Sequence, residues 1–323
     1  MGLSTGRDLH IDNWLSQVAI NYRPPDMVAD LIFPIVNVQK ETDKYPVFSR
    51  KEAFSIEDTS RSRGVEAKRV TRSVSSGTYA VRNYALAYDL YIEDRANMDA
   101  ALAFELDTGA GRYLQDKLTL DWDNRVLNTV SSASNVGTGF LTGSSWTLTG
   151  DPINQLWLVQ EQIQNLTAQK PNSFGFGWRA WNMFRRNTAA RNYVNGLNNG
   201  GGAVTREGMM RAFEIERFWV AGGFRDTSNE AQPANLQSNA LADAVLVYFA
   251  PLQPSRETPS LGYTFRWTDP LLGAPLTVLR HPYDTRKRIE GIEMQLYQDE
   301  RITGSEYGAL LRGVGSAQAN GLV

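Results

Sequence analysis

The spacing of apolar residues changes several times along the 323-residue chain, and each change marks an element. Trp14, Leu15, Val18 and Ile20 are scattered anchors in a mixed, largely polar start. Pro24-Pro25-Asp26 then opens residues 27–33, predicted as a helical turn or two that Pro34 ends. From Tyr84 the period becomes two: Leu86, Tyr88, Leu90 and Ile92 alternate with Ala85, Ala87, Asp89 and Tyr91, as a half-buried strand requires. Over about 97–130 the spacing lengthens. Leu114, Leu118, Trp122, Val126 and Val130 recur every fourth residue, predicting a long helix with one apolar stripe. Gly109 and Gly111 weaken that helix and mark where it would divide.

A clear helix start follows a Ser/Gly/Thr-rich loop over 131–150, with Asp151 as N-cap and Pro152 in the first position. Ile153, Leu156, Trp157, Ile163 and Leu166 mark its buried face, and it ends before Pro171-Asn172. Short elements then alternate: a strand near 174–176, a helix over 179–194, a glycine-rich loop over 196–202, a helix from about Thr205 carrying Glu207 and Met210, and strands near 218–221 and 244–249. Ile292, Met294 and Leu296 again alternate with polar partners. The tail after Arg312 is small, glycine-rich and expected to fray. No repeat and no heptad run appears, and the class is mixed α+β.

Residues 38–78 follow neither period. Charges of both signs crowd a stretch whose apolar residues are only Tyr45, Val47, Phe48, Phe54, Ile56, Val65, Val70 and Val74. In a strand, Lys68, Val70, Arg72 and Val74 would share one face and Arg69, Thr71 and Ser73 the other, so neither face has an apolar stripe. Gly64 suits a turn between two extended halves. A two-stranded hairpin alone is marginal in water. Composition favours a solvated loop; the β-type alternation favours an arm lying across another molecule.

Composition narrows the function classes. A 42% hydrophobic fraction supplies a core and excludes global disorder. A formal charge of −2 and a pI of about 5.8 argue against an electrostatic nucleic-acid binder taken as a whole. The absence of cysteine removes disulfides, thiolate nucleophiles and cysteine metal sites, as befits a reducing compartment. With only His10 and His281, sites of two or three histidines are nearly ruled out. The first residues lack a basic start and apolar run, and the most apolar stretch, 245–252, is far below the roughly 20 residues of a membrane helix. The expectation is a soluble protein made in the cytoplasm.

Candidate chemistry is sparse. The glycines of 196–202 lack the Lys-Ser/Thr ending of a phosphate loop, and Phe174-Gly175-Phe176-Gly177 reads as a β-bend. Asp121 and Asp123 flank Trp122, but two residues apart on a helix they diverge, and Asp121 is better placed to pair with Arg125. Glu290 and Glu293 lie where a strand begins. His281 precedes Pro282 with no serine or aspartate motif beside it. No catalytic constellation, metal set or cofactor is expected. A carboxylate-based carbohydrate enzyme stays open only because 35 acids leave room for a pair.

Taken in order, several stretches resemble the major capsid proteins of tailed bacteriophages with the Hong Kong 97-type fold. They are residues 29–38, Lys44-Tyr45-Pro46-Val47-Phe48, the return over 84–97, the Asp151-Pro152 helix to Lys170-Pro171-Asn172, the pair 218–223 and 241–251, and the run 258–267, together spanning roughly 25–305. The resemblance implies a non-enzymatic shell protein with an N-terminal arm (1–40) and an extended β-hairpin loop (41–78). A peripheral domain with the long helix (79–172, rejoined by 276–312), an axial domain (173–275) and a C-terminal tail (313–323) would complete it. Inter-subunit contacts are then expected from Tyr45, Phe48, Arg50, Lys51, Phe54, Arg61, Arg63, Lys68, Arg69 and Arg72. Expected partners are further copies in hexamers and pentamers, a portal, a decoration protein, and packaged DNA met non-specifically. Expected location is the virion, after assembly in the host cytoplasm. The chain begins almost directly with the arm, so a separate scaffolding protein, or none, is expected. A near-neutral chain suits dense DNA, because a strongly basic lining would hold phosphates. A phage tail or baseplate protein is the alternative.

Overall fold

The computed structural model describes residues 10–11, 27–48, 55–70, 74–97, 100–132, 134–136, 146, 150–196, 202–222, 224–226, 228, 236–238, 240–255, 258–268 and 276–314. The chain starts with β1 (His10–Ile11), the one-turn helix α1 (Ala29–Ile32), β2 (Ile35–Val38), β3 (Thr42–Phe48) and β4 (Val74–Ala80). β5 (Arg82–Tyr91) leads through α2 (Ile92–Ala96) into α3 (Ala100–Ser131). Next come α4 (Pro152–Thr167), β6 (Ser173–Gly177), α5 (Trp178–Arg186), α6 (Thr188–Asn195) and α7 (Arg206–Phe213). β7 (Arg217–Ala221) precedes a small ribbon, β8 (Phe224–Asp226) with β9 (Leu236–Ser238). β10 (Val245–Tyr248), β11 (Gly262–Trp267), β12 (Leu276–Arg280), β13 (Ile289–Ile302) and β14 (Gly308–Leu311) close the order.

Two main sheets result. The 14-residue β13 organises the first, in the order β1-β12-β13-β11-β2, with β5 also paired to β13 over ten positions. All its pairings are antiparallel except β11 with β2. The second sheet runs β14-β10-β6-β7, with only β6 and β7 parallel. Its strands are covered on both faces. Phe174, Phe176, Val245, Val247, Ala309 and Leu311 face a core shared with α4, α5, α6 and α7. Trp219, Leu246, Tyr248 and Leu310 face the opposite core. A strand buried on both faces reads as a continuous apolar run, which is why 244–249 lacks alternation. The Phe-Gly-Phe-Gly segment is a straight strand rather than a bend: a Cβ on Gly175 would lie 2.0 Å from the Trp219 ring.

α3 joins the two sheets. Its first half buries Ala110, Leu114 and Leu118 against Leu90, Val278, Ile292 and Met294 of the first sheet. Its second half buries Trp122, Val126, Leu127 and Val130 with α1 and the inner face of the second sheet. Gly109 and Gly111 do not divide it, and the helix runs unbroken for 32 residues. Two glycines cost a helix about 2 kcal/mol together, whereas each fully buried leucine or valine of the stripe returns roughly 1.5–3 kcal/mol.

Three other expectations shift. The helix over 179–194 is two helices broken at Asn187, whose buried side chain accepts from Ala190 N (2.8 Å) and donates to Gly150 O (2.8 Å). The strand from Tyr84 ends at Tyr91, and Ile92 starts α2. That strand is also less buried than its alternation suggests: Leu90 is covered, but Leu86 and Tyr88 remain 41% and 40% exposed. α4 packs against the second sheet, to which β14 belongs, and β11 lies in the first.

Asp121 and Asp123 part as helix geometry demands. Asp121 is exposed and pairs with Arg125 one turn on. Asp123 points inward and accepts the backbone N–H of Val28 (3.0 Å) and Ala29 (2.9 Å), capping α1 from another element. Burial pushes its carboxyl above the ordinary range, partly offset by those two hydrogen bonds and reinforced by Asp30. Asp123→Ala strands two buried N–H groups and is expected to cost about 2 kcal/mol or more. Asp123→Asn keeps an acceptor and removes the buried charge, so it should stay within about 1 kcal/mol of the parent at neutral pH. A raised folded pKa means the native state binds the proton more readily than the unfolded chain. The parent should therefore gain stability relative to Asp123→Asn as pH falls from neutral toward the ordinary aspartate value of 3.8. Urea unfolding of both proteins across that range checks the sign.

Candidate assembly interface

The polar stretch after β2 has a rooted base and a projecting end. β3 and β4 pair antiparallel from Thr42↔Ala80 to Phe48↔Val74. On one face of this ladder Tyr45 and Tyr79 stack on Phe265, with ring centroids 5.4 and 4.6 Å away. Val36, Val38, Val81 and Tyr263 complete that cluster. Ala80 N donates to Asp299 Oδ2 (2.9 Å), Val81 N to Glu41 O (3.0 Å), and Trp267 Nε1 to Gln39 O (3.1 Å). Tyr45 lies directly across from Gly77, where a Cβ would sit 2.3 Å from its ring. Burial raises the Tyr45 hydroxyl above its ordinary value, with Arg301 opposing and Asp299 reinforcing.

Beyond the root, residues 55–70 form no ladder. Their one turn is at Gly64, with φ +84° and a Val65 N to Ser62 O bond of 3.3 Å, where the sequence placed it. The bonds that shape the segment are local. Arg61 Nε donates to Val65 O (2.6 Å), Lys68 pairs with Glu57 (2.5 Å), and Ser60 donates from N and Oγ to Asp58. Those Ser60 bonds, the side-chain one first, hold the Asp58 carboxyl below its ordinary value. Ion pairs this exposed contribute little to folding. Ile56 is 99% exposed, and Val65 and Val70 are also largely in solvent.

Of the contact residues expected from sequence, Arg61, Arg63, Lys68 and Arg69 are exposed on this segment. Tyr45 is not presented outward, being buried against Phe265 within its own chain. Arg50, Lys51, Phe54 and Arg72 lie outside the described residues, as does the side chain of Phe48. The structure adds a surface that sequence reading passed over. Leu86 and Tyr88 share one face of β5 in the open, with Tyr113 of α3 52% exposed, while Tyr91 on the other face of the strand is 55% exposed. The Tyr88 and Tyr113 rings meet edge to face at 6.1 Å. The available signal was aromatic residues at both parities of β5, Tyr88 and Tyr91, which cannot all face one helix.

The carboxylates weighed as catalytic have other partners. Glu293 meets His281 Nε2 at 2.7 Å, and Glu290 lies 3.9 Å from Arg280, which also pairs with Asp107 (2.9 Å). An open depression at the end of α3, lined by Ser131, Ala242, Asp243, Leu310 and Arg312, offers one carboxylate where glycosidase chemistry takes two. Among the described residues no three His, Cys, Asp or Glu gather as a metal site, and no helix is long and apolar enough to cross a membrane.

No family model matches the chain. It is 24% identical over 271 residues to the major capsid protein of Pseudomonas phage JBD67, covering 82% of this chain and 85% of that one. It is equally identical over 272 residues to the major capsid protein of Burkholderia phage BcepMu, covering 79% and 83%. Among solved structures, a phage-related protein from Bordetella bronchiseptica RB50 superposes with a TM-score of 0.73 at 18% identity, covering 95% of this chain and 98% of the other. The capsid structure of cyanophage P-SCSP1u matches with a TM-score of 0.55 at 12% identity, covering 90% and 89%. The chain has the Hong Kong 97-type capsid fold. The likeness to tailed-phage major capsid proteins read from scattered motifs thus extends over most of the chain.

In this capsid fold the Tyr45–Gly77 contact sets the direction in which the extension leaves the body. Gly77→Ala should push the Tyr45 ring off Phe265 and destabilise by roughly 1–3 kcal/mol. Limited proteolysis should then cut near the root as well as within 55–70, while the parent is nicked in 55–70 first.

Proposed function

We propose that this chain is the major capsid protein of a tailed phage, assembling through pentamers and hexamers into an icosahedral head shell around phage DNA. The observation that carries the reading is the extension of 55–70, a charged segment with exposed Ile56, Val65 and Val70 and no core of its own. Its natural cover is a second copy. The exposed Leu86, Tyr88 and Tyr113 offer aliphatic and aromatic surface of the kind such side chains would cover. Donor and acceptor patches differ, so the contact is heterologous and propagates from copy to copy, closing into rings when the rotation allows. Each buried aliphatic side chain contributes roughly 1.5–3 kcal/mol at most, and ordering the arm offsets much of that. One contact is therefore weak and correctable, while many per shell are collectively firm.

On this reading 1–40 is the N-terminal arm, 41–78 the extension, 79–172 and 276–312 the peripheral part, 173–275 the axial part and 313–323 the tail. Arg61, Arg63, Lys68 and Arg69 supply charged rim contacts to the neighbour. The role is structural, without catalytic site or cofactor. Portal, scaffolding and decoration proteins would be its partners beside its own copies, and the virion its destination after assembly in the host cytoplasm.

Negative-stain microscopy and sedimentation of the full chain, alone and with candidate scaffolding proteins, test the reading. Closed shells, or rings of five and six, are the expected result. Replacing 55–70 by a short Gly-Ser link should leave the melting temperature almost unchanged and abolish closure. Leu86→Ser/Tyr88→Ser should weaken closure in the same way. A chain that stays monomeric under every condition, or builds open tubes, would overturn the proposal.

A further inference from the structure

Charge is nearly balanced over the whole chain but unevenly placed. Residues 162–206 hold Lys170, Arg179, Arg185, Arg186, Arg191 and Arg206 and not one Asp or Glu. The fold gathers most of this block into α5, α6 and α7, which pack side by side on the outer face of the second sheet. Two of the six are neutralised from elsewhere: Lys170 by Glu214 (2.5 Å) and Arg179 by Asp243 (3.4 Å). Arg185, Arg186, Arg191 and Arg206 have no carboxylate partner among the described residues.

Their settings differ in a useful way. Arg185 and Arg186 are exposed in the last turn of α5, and the Arg185 guanidinium lies over the Trp181 ring at 5.9 Å, which limits its freedom. Arg191, on α6, is half-buried, and its Nε is buried without an acceptor. Arg206 is exposed at the start of α7. Asn182, Thr188 and Asn192 are exposed in the same hairpin, adding neutral donors. A helix C-terminus explains two cations in its last turn. It does not explain three neighbouring helices with a single acid, Glu207, or a partly desolvated guanidinium with no counter-charge.

We propose that the arginine surface of α5 and α6, centred on Arg185, Arg186 and Arg191, binds the phosphate backbone of duplex DNA without sequence preference. This deepens the shell reading and rests on it, naming the face through which the subunit would meet its packaged cargo. Guanidinium forks with amide and hydroxyl donors between them are the groups that hold phosphate oxygens. Repeated in every copy of a ring, the surface would repel itself unless a continuous polyanion lay against it. Duplex DNA supplies one charge per roughly 1.7 Å of axis. An acidic polypeptide would have to be provided copy by copy. A few phosphate contacts correspond to weak binding, roughly 10⁻⁴–10⁻⁶ M at physiological salt. Such a contact leaves dense packing possible, in keeping with a chain that is near neutral overall.

The test is fluorescence anisotropy of a labelled random-sequence duplex with the full chain, over a series of salt concentrations. Binding should weaken steeply with salt. Arg185→Gln/Arg186→Gln/Arg191→Gln should lose tenfold or more in affinity and lower the log–log salt slope by about 2–3. Arg185→Gln/Arg186→Gln, which leaves the half-buried Arg191 alone, should lose part of the affinity with an unchanged melting temperature. Arg82→Gln/Arg286→Gln/Lys287→Gln removes equal charge from exposed positions elsewhere on the body and should bind as the parent does. No binding at low salt, or equal losses in both triple variants, would overturn the proposal. So would polyglutamate binding under conditions where duplex DNA does not. Microscopy of the same samples separates the two readings. Shells without arginine-dependent DNA binding sink this proposal alone, whereas arginine-dependent binding without shells or rings supports it and sinks the shell reading.

Discussion

The apolar stripe of α3 has to serve two sheets at once, and most of the architecture follows from that demand. A helix 32 residues long cannot be covered by one five- or six-stranded sheet, so its two halves are covered by different ones. Leu114 and Leu118 are held under β5, β12 and β13, while Trp122, Val126 and Val130 close the underside of the second sheet. Because both contacts are made by one rigid rod, the relative placement of the sheets is fixed by residues that belong to neither.

Where the halves meet, the packing turns polar. Arg125 donates to Glu300 at 2.9 Å and stacks on Tyr84 at 3.7 Å, tying helix to first sheet, while Asp123 on the next face caps α1. The Arg266 guanidinium lies 5.1 Å from the Trp122 ring centre, and burial lowers its pKa to about 10, with Glu300 and Asp30 opposing. Buried charges of this kind add little net stability, but removing one member is costly because its partners are left uncompensated. Trp219 Nε1 donates to the Tyr248 hydroxyl (2.8 Å), which donates to Leu31 O (2.9 Å), so the second sheet grips α1 as well. A one-turn helix with little stability of its own is thus held from two directions.

Much of this was legible in the sequence where a period was long or a chemical signal strong. The four-residue stripe gave α3, and Asp151-Pro152 gave the start of α4, with Asp151 capping Asn154 N as expected. Glycine propensity misled at Gly109 and Gly111 because tertiary burial outweighed it. The break at Asn187 was passed over although its cap on Ala190 N is a local signal; only its bond to Gly150 O is remote in sequence. The projecting segment of 55–70 was readable from the lack of an apolar stripe, and its turn from Gly64. The exposed face of β5 was not, because alternation reports which residues share a side and not whether anything covers them. Net charge concealed the arginine surface for a similar reason, since an average over 323 residues carries no position.

The root of the extension is anchored to the body by packing, and that anchoring has a mechanical meaning. Stacked rings, a backbone-to-Asp299 bond and a glycine with no room for a methyl fix how the segment leaves the body, while Arg61–Val65, Lys68–Glu57 and Ser60–Asp58 are bonds made within 55–70. On the proposed reading, a part that docks on neighbours set at slightly different angles works best as a cantilever, with strain taken up along its span and none passed to the anchor. The proposed shell, built from such parts, would curve without deforming the bodies of its subunits.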